Sequence, residues 1–261
     1  TLIVDEAHHI CAKVFSQSLF KMCPKHIFGL SATPTRKDGL TKVLHWFMGP
    51  TFFEAERKNQ EQVEVFPIEY KCDRFQDPPP CTRFGKLSLA TMITELTEDR
   101  GRNIVILKLV KDIVKTTRQV LVLSDRRHHC EVMHQSFKKT SGLYMGGMKE
   151  ADLTESSKKQ IIFATFSQAH EGLDIPTLDT VILATPKSDI VQSIGRIMRE
   201  TKGKKNNPHI YDIFDQWSIC HAMYKKRLKV YKQGGFHIPI LNSQKNEDET
   251  PFKKGECFIN I

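Results

Sequence analysis

The sequence predicts an α/β architecture, parallel sheets flanked by helices. Three observations lead there. Short apolar runs of strand length recur at residues 1–4, 25–30, 119–123, 160–164, 180–184 and 209–214. Stretches of helical period separate several of them, the alternation of a wound parallel sheet rather than of a meander. Polar tri- and tetrapeptides follow directly on these runs, at the strand ends where open α/β sheets gather their ligand loops.

Taken in order, Thr1-Leu2-Ile3-Val4 is a strand too short to stand alone, and Asp5-Glu6-Ala7-His8 emerges at its end, ahead of a helix expected to run through Phe20. Two adjacent acids in such a place can divide labour: one holds Mg²⁺ directly or through its waters, the other positions and deprotonates a water that attacks a phosphoryl group. Standing alone, the tetrapeptide reads better as a chance helix start. The strand at 25–30 leads into Ser31-Ala32-Thr33-Pro34, small hydroxyl residues where a loop must pass close to another element. Trp46, Phe47, Phe52 and Phe53 are assigned to core packing rather than to stacking on bases. Residues 61–71 alternate apolar and polar side chains, as a strand crossing between domains would, and 72–85, with Pro78-Pro79-Pro80, read as linker or insertion.

Residues 86–117 are expected to be mostly helical, broken near Gly101. The buried strand at 119–123 runs into Ser124-Asp125-Arg126 and a helix that carries His128, His129, Cys130 and His134, whose spacing fits no common closed zinc site. Gly142 to Gly147 ends a strand in a turn. After the strands at 160–164 and 180–184, Ser188 and Asp189 offer N-cap chemistry for a helix running to about Arg199. On it, Val191, Ile194 and Met198 recur at i, i+3 and i+7 and suit packing, whereas Gln192, Arg196 and Arg199 share the other side. Paired guanidiniums at one-turn spacing match spread phosphate charge. A solvated helix face accounts for them equally well until Gly172-Leu173-Asp174-Ile175-Pro176 is added: a glycine followed by a carboxylate between two strands can reach a ribose hydroxyl. Tyr224, Leu228 and Tyr231 form the packing stripe of a last helix at 218–232, with its lysines outward. Beyond Gln233 the chain is polar, expected to be poorly ordered, and assigned no role.

These residues carry a resemblance. The stretch from Ala164 to Arg199, Ala-Thr-Phe-Ser-Gln-Ala-His-Glu-Gly-Leu-Asp-Ile-Pro through Gln-Ser-Ile-Gly-Arg-Ile-Met-Arg, resembles motifs V and VI of superfamily 2 helicases. Asp5-Glu6-Ala7-His8 and Ser31-Ala32-Thr33 supply two further motifs of that set in the right order. Thr35-Arg36-Lys37-Asp38-Gly39 is similar to the XPB-like branch. Ala184-Thr185-Pro186-Lys187-Ser188-Asp189 is similar to the helicases of large cytoplasmic DNA viruses related to poxvirus transcript-release helicases. The resemblance implies RecA-like domains and ATP hydrolysis between two lobes. Asp5 is then the metal carboxylate, Glu6 the catalytic base, and Arg196 with Arg199 the charge-stabilising pair. His8, Gly172, Asp174 and Gln192 become nucleotide contacts; Ser31, Thr33, Thr165 and Gln168 become coupling or nucleic-acid contacts. ATP and Mg²⁺ are the implied cofactors and DNA or RNA the partner, with transcription machinery a further candidate.

The expected division is 1–60 as the back part of a first RecA-like domain, 61–100 as linker or insertion, 101–215 as a second domain, and 216–261 as a basic helix and tail. A Gly-x-x-x-x-Gly-Lys-Ser/Thr phosphate loop is absent from the 261 residues. Gly85-Lys86-Leu87-Ser88 has leucine where the hydroxyl belongs, so the chain is expected to be a fragment that lacks the phosphate cradle and is inactive alone. A non-catalytic module that binds nucleic acid or a partner is the competing expectation. Composition allows both: 39% hydrophobic and 26% charged is globular. Eight of the basic residues fall at 202–232 against two acids, a local net of +6 within the formal +9, which favours a polyanion or simply a solvated surface. Seven cysteines without paired spacing point to free thiols in a reducing, intracellular compartment, the host cytoplasm or virion for a viral protein and the nucleus for an XPB-like one. No run has the length of a membrane span.

Overall fold

The computed structural model describes residues 1–31, 38–54, 63–76, 78–171, 173–197 and 206–239, apart from the side chains of Lys13, Val14, His170, Glu171, Gln192, Arg196 and Ile197. The chain divides into two units, Thr1–Asn59 and Gln60–Ile261.

In the first unit, β1 (Leu2–Val4) and β2 (Ile27–Gly29) pair in parallel, Leu2 opposite Ile27 and Val4 opposite Gly29. The expected continuous helix after β1 is two pieces. A 3₁₀ turn at Ala7–Cys11 ends where Ala12 turns extended, and α1 (Lys13–Leu19) starts afresh. A further helix, α2 (Thr41–Met48), closes the small core of Ala7, Cys11 and Leu44, flanked by Val4, Ile10, Val43 and Met48. A Cβ on Gly29 would stand 2.9 Å from that of Ala7, so β2 passes too close for a larger residue. The aromatic cluster assigned to a core is not one: Trp46, Phe52 and Phe53 are 78%, 82% and 74% exposed, and Phe47 meets Phe20, itself exposed, edge to face. Among the described residues the core of this unit is made by small and aliphatic side chains, and these rings are not part of it.

The second unit is a six-stranded, all-parallel sheet. It contains β3 (Glu64–Tyr70), β4 (Val120–Ser124), β5 (Ser141–Tyr144), β6 (Ile161–Thr165), β7 (Thr180–Leu183) and β8 (His209–Asp215), in the order β3-β8-β7-β4-β6-β5. Alternation along each strand feeds two cores. Val120, Val122, Ile161, Phe163 and Ile182 face α4 (Arg100–Ile113) and α5 (Arg127–Gln135). Leu121, Leu123, Ile162, Ala164, Val181 and Leu183 face α7 (Phe166–Glu171), α8 (Val191–Ile197) and α9 (Ser218–Gln233). Strands buried on both faces explain the continuous apolar runs seen in the sequence.

The stretch expected as linker supplies structure to this unit. β3 runs along β8 with Glu64 opposite His209 and Tyr70 opposite Asp215, and as an edge strand it tolerates Pro67. Phe75, from a 3₁₀ turn at Asp73–Phe75, is fully buried with Met92 and Leu96 of α3 (Leu89–Glu98), Trp217 and Cys220. Ser88, the end of the false phosphate-loop string, N-caps α3 by accepting the Thr91 amide at 3.3 Å. The helical break falls at Asp99, which caps α4 by accepting the Arg102 amide at 2.7 Å. Gly101 is helical, and its missing Cβ admits the Tyr70 hydroxyl, which donates to Asp99. The sequence left 148–159 unassigned; α6 (Glu150–Ser157) lies there against β5. The expectation of poor order beyond Gln233 needs correction at residues 234–239, while 240–261 lie outside the described residues. Phe236 and Ile238 pack on the core, and His237 exchanges backbone bonds with Val63 and Val65, covering part of the β3 edge. The six cysteines among the described residues are free thiols. Among the described residues no helix is long and apolar enough to cross a membrane.

Candidate functional site

Because strands within each sheet are parallel, their carboxyl ends share one edge, and the polar residues singled out in the sequence gather at such edges. In the first unit β1 delivers Asp5 and Glu6, and β2 delivers Ser31. Glu6 is held left-handed at φ 47 and ψ 47, the one non-glycine residue with positive φ among those described. That conformation costs about 1 kcal/mol or more in an L-residue. It turns the chain sharply, so that Asp5 Oδ1 accepts the Glu6 amide at 2.8 Å and the Ala7 amide reaches the Leu30 carbonyl at 2.8 Å. His8 Nδ1 then lies 2.9 Å from Ser31 Oγ and 3.3 Å from Glu6 Oε2. The Glu6 oxygen is within ion-pair range but lacks hydrogen-bond geometry, so it is a buried acceptor without a hydrogen-bond donor. One imidazole nitrogen thus faces oxygens from both strand ends. The Asp5 carboxylate is exposed. Among the described residues no cluster of three or more His, Cys, Asp or Glu could enclose a metal ion. A cation at Asp5 would therefore complete its shell with water and ligand oxygens, the habit of Mg²⁺ rather than of a caged ion.

In the second unit, β6 ends at Thr165, whose hydroxyl lies 3.2 Å from that of Ser167, and α7 begins at once. Gln168 is half-buried and turned towards Gly146, where an added Cβ would come within 3.4 Å of its Oε1. On the way to β7, Leu173, Ile175 and Leu178 are buried and anchor the loop, which leaves Asp174 exposed between two plugs. The loop after β7 is tied to its neighbours. Thr185 Oγ1 accepts the Asp125 amide at 2.9 Å, and Lys187 Nζ pairs with Asp125 at 3.0 Å while sitting 5.3 Å from the centre of the Phe166 ring. These contacts join the ends of β4, β6 and β7. The β4–β7 pair is also where the strand order reverses, the crevice in which open α/β sheets bind ligands.

The loop then enters α8. Ile194 donates to the Ile190 carbonyl at 2.8 Å, which puts Ile190, not Ser188 or Asp189, at the N-cap position. Ile194 is buried as its spacing predicts, and Ser193 is buried beside it. Thr33, Gly172 and Arg199 lie outside the described residues, as do the side chains of Gln192 and Arg196.

Sequence reasoning missed two buried ion pairs that grip this loop. Arg102 of α4 donates from Nε and Nη2 to Asp215 at 2.7 and 3.1 Å, and from Nη1 to the Ala184 carbonyl at 2.6 Å. Arg227 of α9 donates from Nε and Nη2 to Asp212, the shortest contact 2.7 Å, and from Nη1 to the Lys187 carbonyl at 2.6 Å. The two guanidiniums are 0% and 1% exposed. Burial alone would lower the Arg227 pKa; the Asp212 carboxylate more than offsets it and holds the value above the ordinary one. Arg227 and both acids of the basic segment are therefore interior, and the outward charge of α9 comes from Lys225, Lys226, Lys229 and Lys232. A helical-wheel reading would have flagged Arg227, since i+3 and i+4 from it are Val230 and Tyr231.

Parallel strands with polar residues gathered at their carboxyl ends define α/β units, and the comparisons agree with that fold. Residues 91–201, within the second unit, match the helicase conserved C-terminal domain. L396 of Acanthamoeba polyphaga mimivirus, whose name proposes an ATP-dependent RNA helicase, is 35% identical over 237 residues, covering 87% of this chain and 45% of that protein. 161L of Invertebrate iridescent virus 6, whose name proposes a helicase, is 29% identical over 254 residues, 90% of this chain and 55% of its own length. The chain spans about half the length of these relatives. Among solved structures, T4 UvsW superposes with a TM-score of 0.53 at 18% identity, covering 90% of this chain and 52% of that one. Yeast Dbp5 bound to RNA and ADP BeF3 gives 0.55 at 12%, covering 91% and 58%. Both are likenesses of RecA-like fold.

Proposed function

We propose that these 261 residues are part of an ATP-dependent nucleic-acid helicase or translocase of DEAH type that serves transcription or DNA metabolism in a large DNA virus. One observation carries the reading: a match to the helicase conserved C-terminal domain occurs in the same chain as an acid pair, Asp5 and the left-handed Glu6, beside which His8 reaches Ser31 across parallel strand ends. The viral relatives support the branch, and the name of the mimivirus relative supports RNA as a polymer acted on. A virion or host-cytoplasm location, and contact with transcription machinery, follow from that branch.

In this reading Asp5 holds Mg²⁺, and Glu6 accepts the proton of the attacking water. Bound there, the metal supplies neutralisation of phosphate charge. Asp174 and Gly172 contact the ribose, Gln192 the nucleotide, and Arg196 with Arg199 the charge that develops on the transferred phosphoryl group. Thr165 and Gln168 meet the nucleic-acid strand, with the α9 lysines adding phosphate contacts. The loop that cradles the ATP phosphates is assigned to residues other than these, since no Gly-x-x-x-x-Gly-Lys-Ser/Thr occurs among them.

The test is ATP turnover by the protein that contains these residues together with a phosphate loop, measured with single-stranded DNA, duplex DNA and RNA at one salt concentration. Nucleic acid should stimulate turnover, and Arg199→Ala should lower it by about 10³ to 10⁵, as loss of an arginine finger does. The 261 residues alone should show none. Turnover by Arg199→Ala within a few-fold of wild type would remove that arginine from the chemistry. Nucleic-acid binding without any hydrolysis would replace the motor by a binding module.

A further inference from the structure

The loop at residues 184–189 carries the chain from β7 into the arginine-bearing helix α8, and it is held from both faces of the sheet. Asp212 and Asp215 are three apart on β8, so they project to opposite faces. Each fixes one buried arginine, and each arginine spends a remaining N–H on a carbonyl of the loop, Ala184 on the α4 side and Lys187 on the α9 side. Stability does not require this. Apolar replacements of buried ion pairs are often neutral or stabilising, and Ile190 and Ile194 already pack the segment down. What a guanidinium adds is direction: its planar fork, locked by a carboxylate, sets where the next acceptor must lie.

We propose that Arg102–Asp215 and Arg227–Asp212 are positioning pairs that aim α8, so that Arg227 acts on ATP hydrolysis through the 184–189 loop rather than through nucleic acid. The consequence for hydrolysis rests on the proposed function; the mechanical claim does not. Arg227, buried against Asp212, cannot be a phosphate contact even though it lies in the most basic stretch of the chain.

Amide hydrogen exchange separates these alternatives in the 261-residue chain. Arg227→Met with Asp212→Asn, and Arg102→Met with Asp215→Asn, remove each pair without leaving a lone buried charge. Exchange at residues 185–197 should rise about tenfold or more while β4 and β6 stay protected, as expected of a local opening. Arg227→Lys, which keeps the charge but loses the planar fork, should fall between wild type and the double variant. The dependence of nucleic-acid affinity on salt should not change in the Arg227 variants. In the ATP-hydrolysing protein kcat should fall about 10- to 100-fold at constant KM for ATP, the scale of a small misplacement of catalytic groups. Unchanged exchange at 185–197 overturns the proposal. So does exchange raised equally in β4 and β6, which would make the pairs general struts, or a salt slope lowered by about one neutralised phosphate, which would make Arg227 a strand contact. If wild type neither binds nucleic acid nor hydrolyses ATP, the proposed function fails, and the exchange data still decide the clamp.

Discussion

Lowering the pH from 7 to 5 should destabilise the second unit by about 2 kcal/mol through His129 alone. This imidazole, on α5, is 3% exposed and faces α4 and the end of β4. Its Nε2 lies 3.0 Å from Asn103 Oδ1 and its Nδ1 2.9 Å from Ser124 Oγ. The Asn103 amide nitrogen donates to the Thr97 carbonyl at 2.8 Å, so Oδ1 faces the ring as an acceptor and Nε2 carries the proton, with Ser124 donating to Nδ1. Burial first, then the Arg102 and His128 charges, push the pKa from 6.5 down to about 3. The folded value lies below the unfolded one, so as the pH falls the unfolded chain takes up this proton first. The stabilisation is full above 6.5 and is lost progressively between 6.5 and about 3. Over the two units from pH 7 to 5 the loss is set by the unfolded value, because the folded ring stays neutral throughout. Urea unfolding of wild type and His129→Gln at the two pH values measures it: wild type should lose about 2 kcal/mol more than the variant. Equal losses would show that His129 is free to protonate in the native state.

Arg102→Met should cost about 3–5 kcal/mol in the same assay by stranding Asp215, and adding Asp215→Asn should recover part of it. Gly142→Ala would bring a Cβ to 2.6 Å from the Ser156 backbone where α6 crosses β5, and should destabilise by about 1–3 kcal/mol. Replacing Lys225, Lys226 and Lys229 by Gln should flatten the dependence of log affinity for nucleic acid on log salt, by roughly 0.9 for each duplex phosphate that the lysines no longer neutralise. An unchanged slope would take the α9 lysines out of the interface.

Local chemistry made much of this legible. Strands buried on both faces show as apolar runs, so all six expected strands were found to within a residue or two, and Tyr224, Leu228 and Tyr231 announced the buried face of α9. The resemblance placed Asp5, Glu6, His8 and Ser31 at strand ends, and the first unit brings those four together. The strand at 61–71 and the helices after 86 were legible, but not where they belong: what decides that β3 and α3 join the second unit is Phe75 finding Trp217, and Tyr70 pairing beside Asp215, more than a hundred residues away. The aromatics at 46–53 misled because hydrophobicity states a preference for burial, while the volume available to satisfy it is set by elements distant in the chain.

What the sequence determined by itself is the order of elements, the wound α/β class and the identity of the polar residues at strand ends, all fixed by periodicities of two to four residues. Which charges are surface and which are structure was left to the tertiary fold. Arg227 and its neighbouring lysines are alike as residues in a basic run, and only the approach of Asp212 and of the Lys187 carbonyl makes one of them a buried clamp. Burial and pairing are properties of contacts between segments far apart in the chain, and a guanidinium is worth desolvating only where the fold has already assembled its partners.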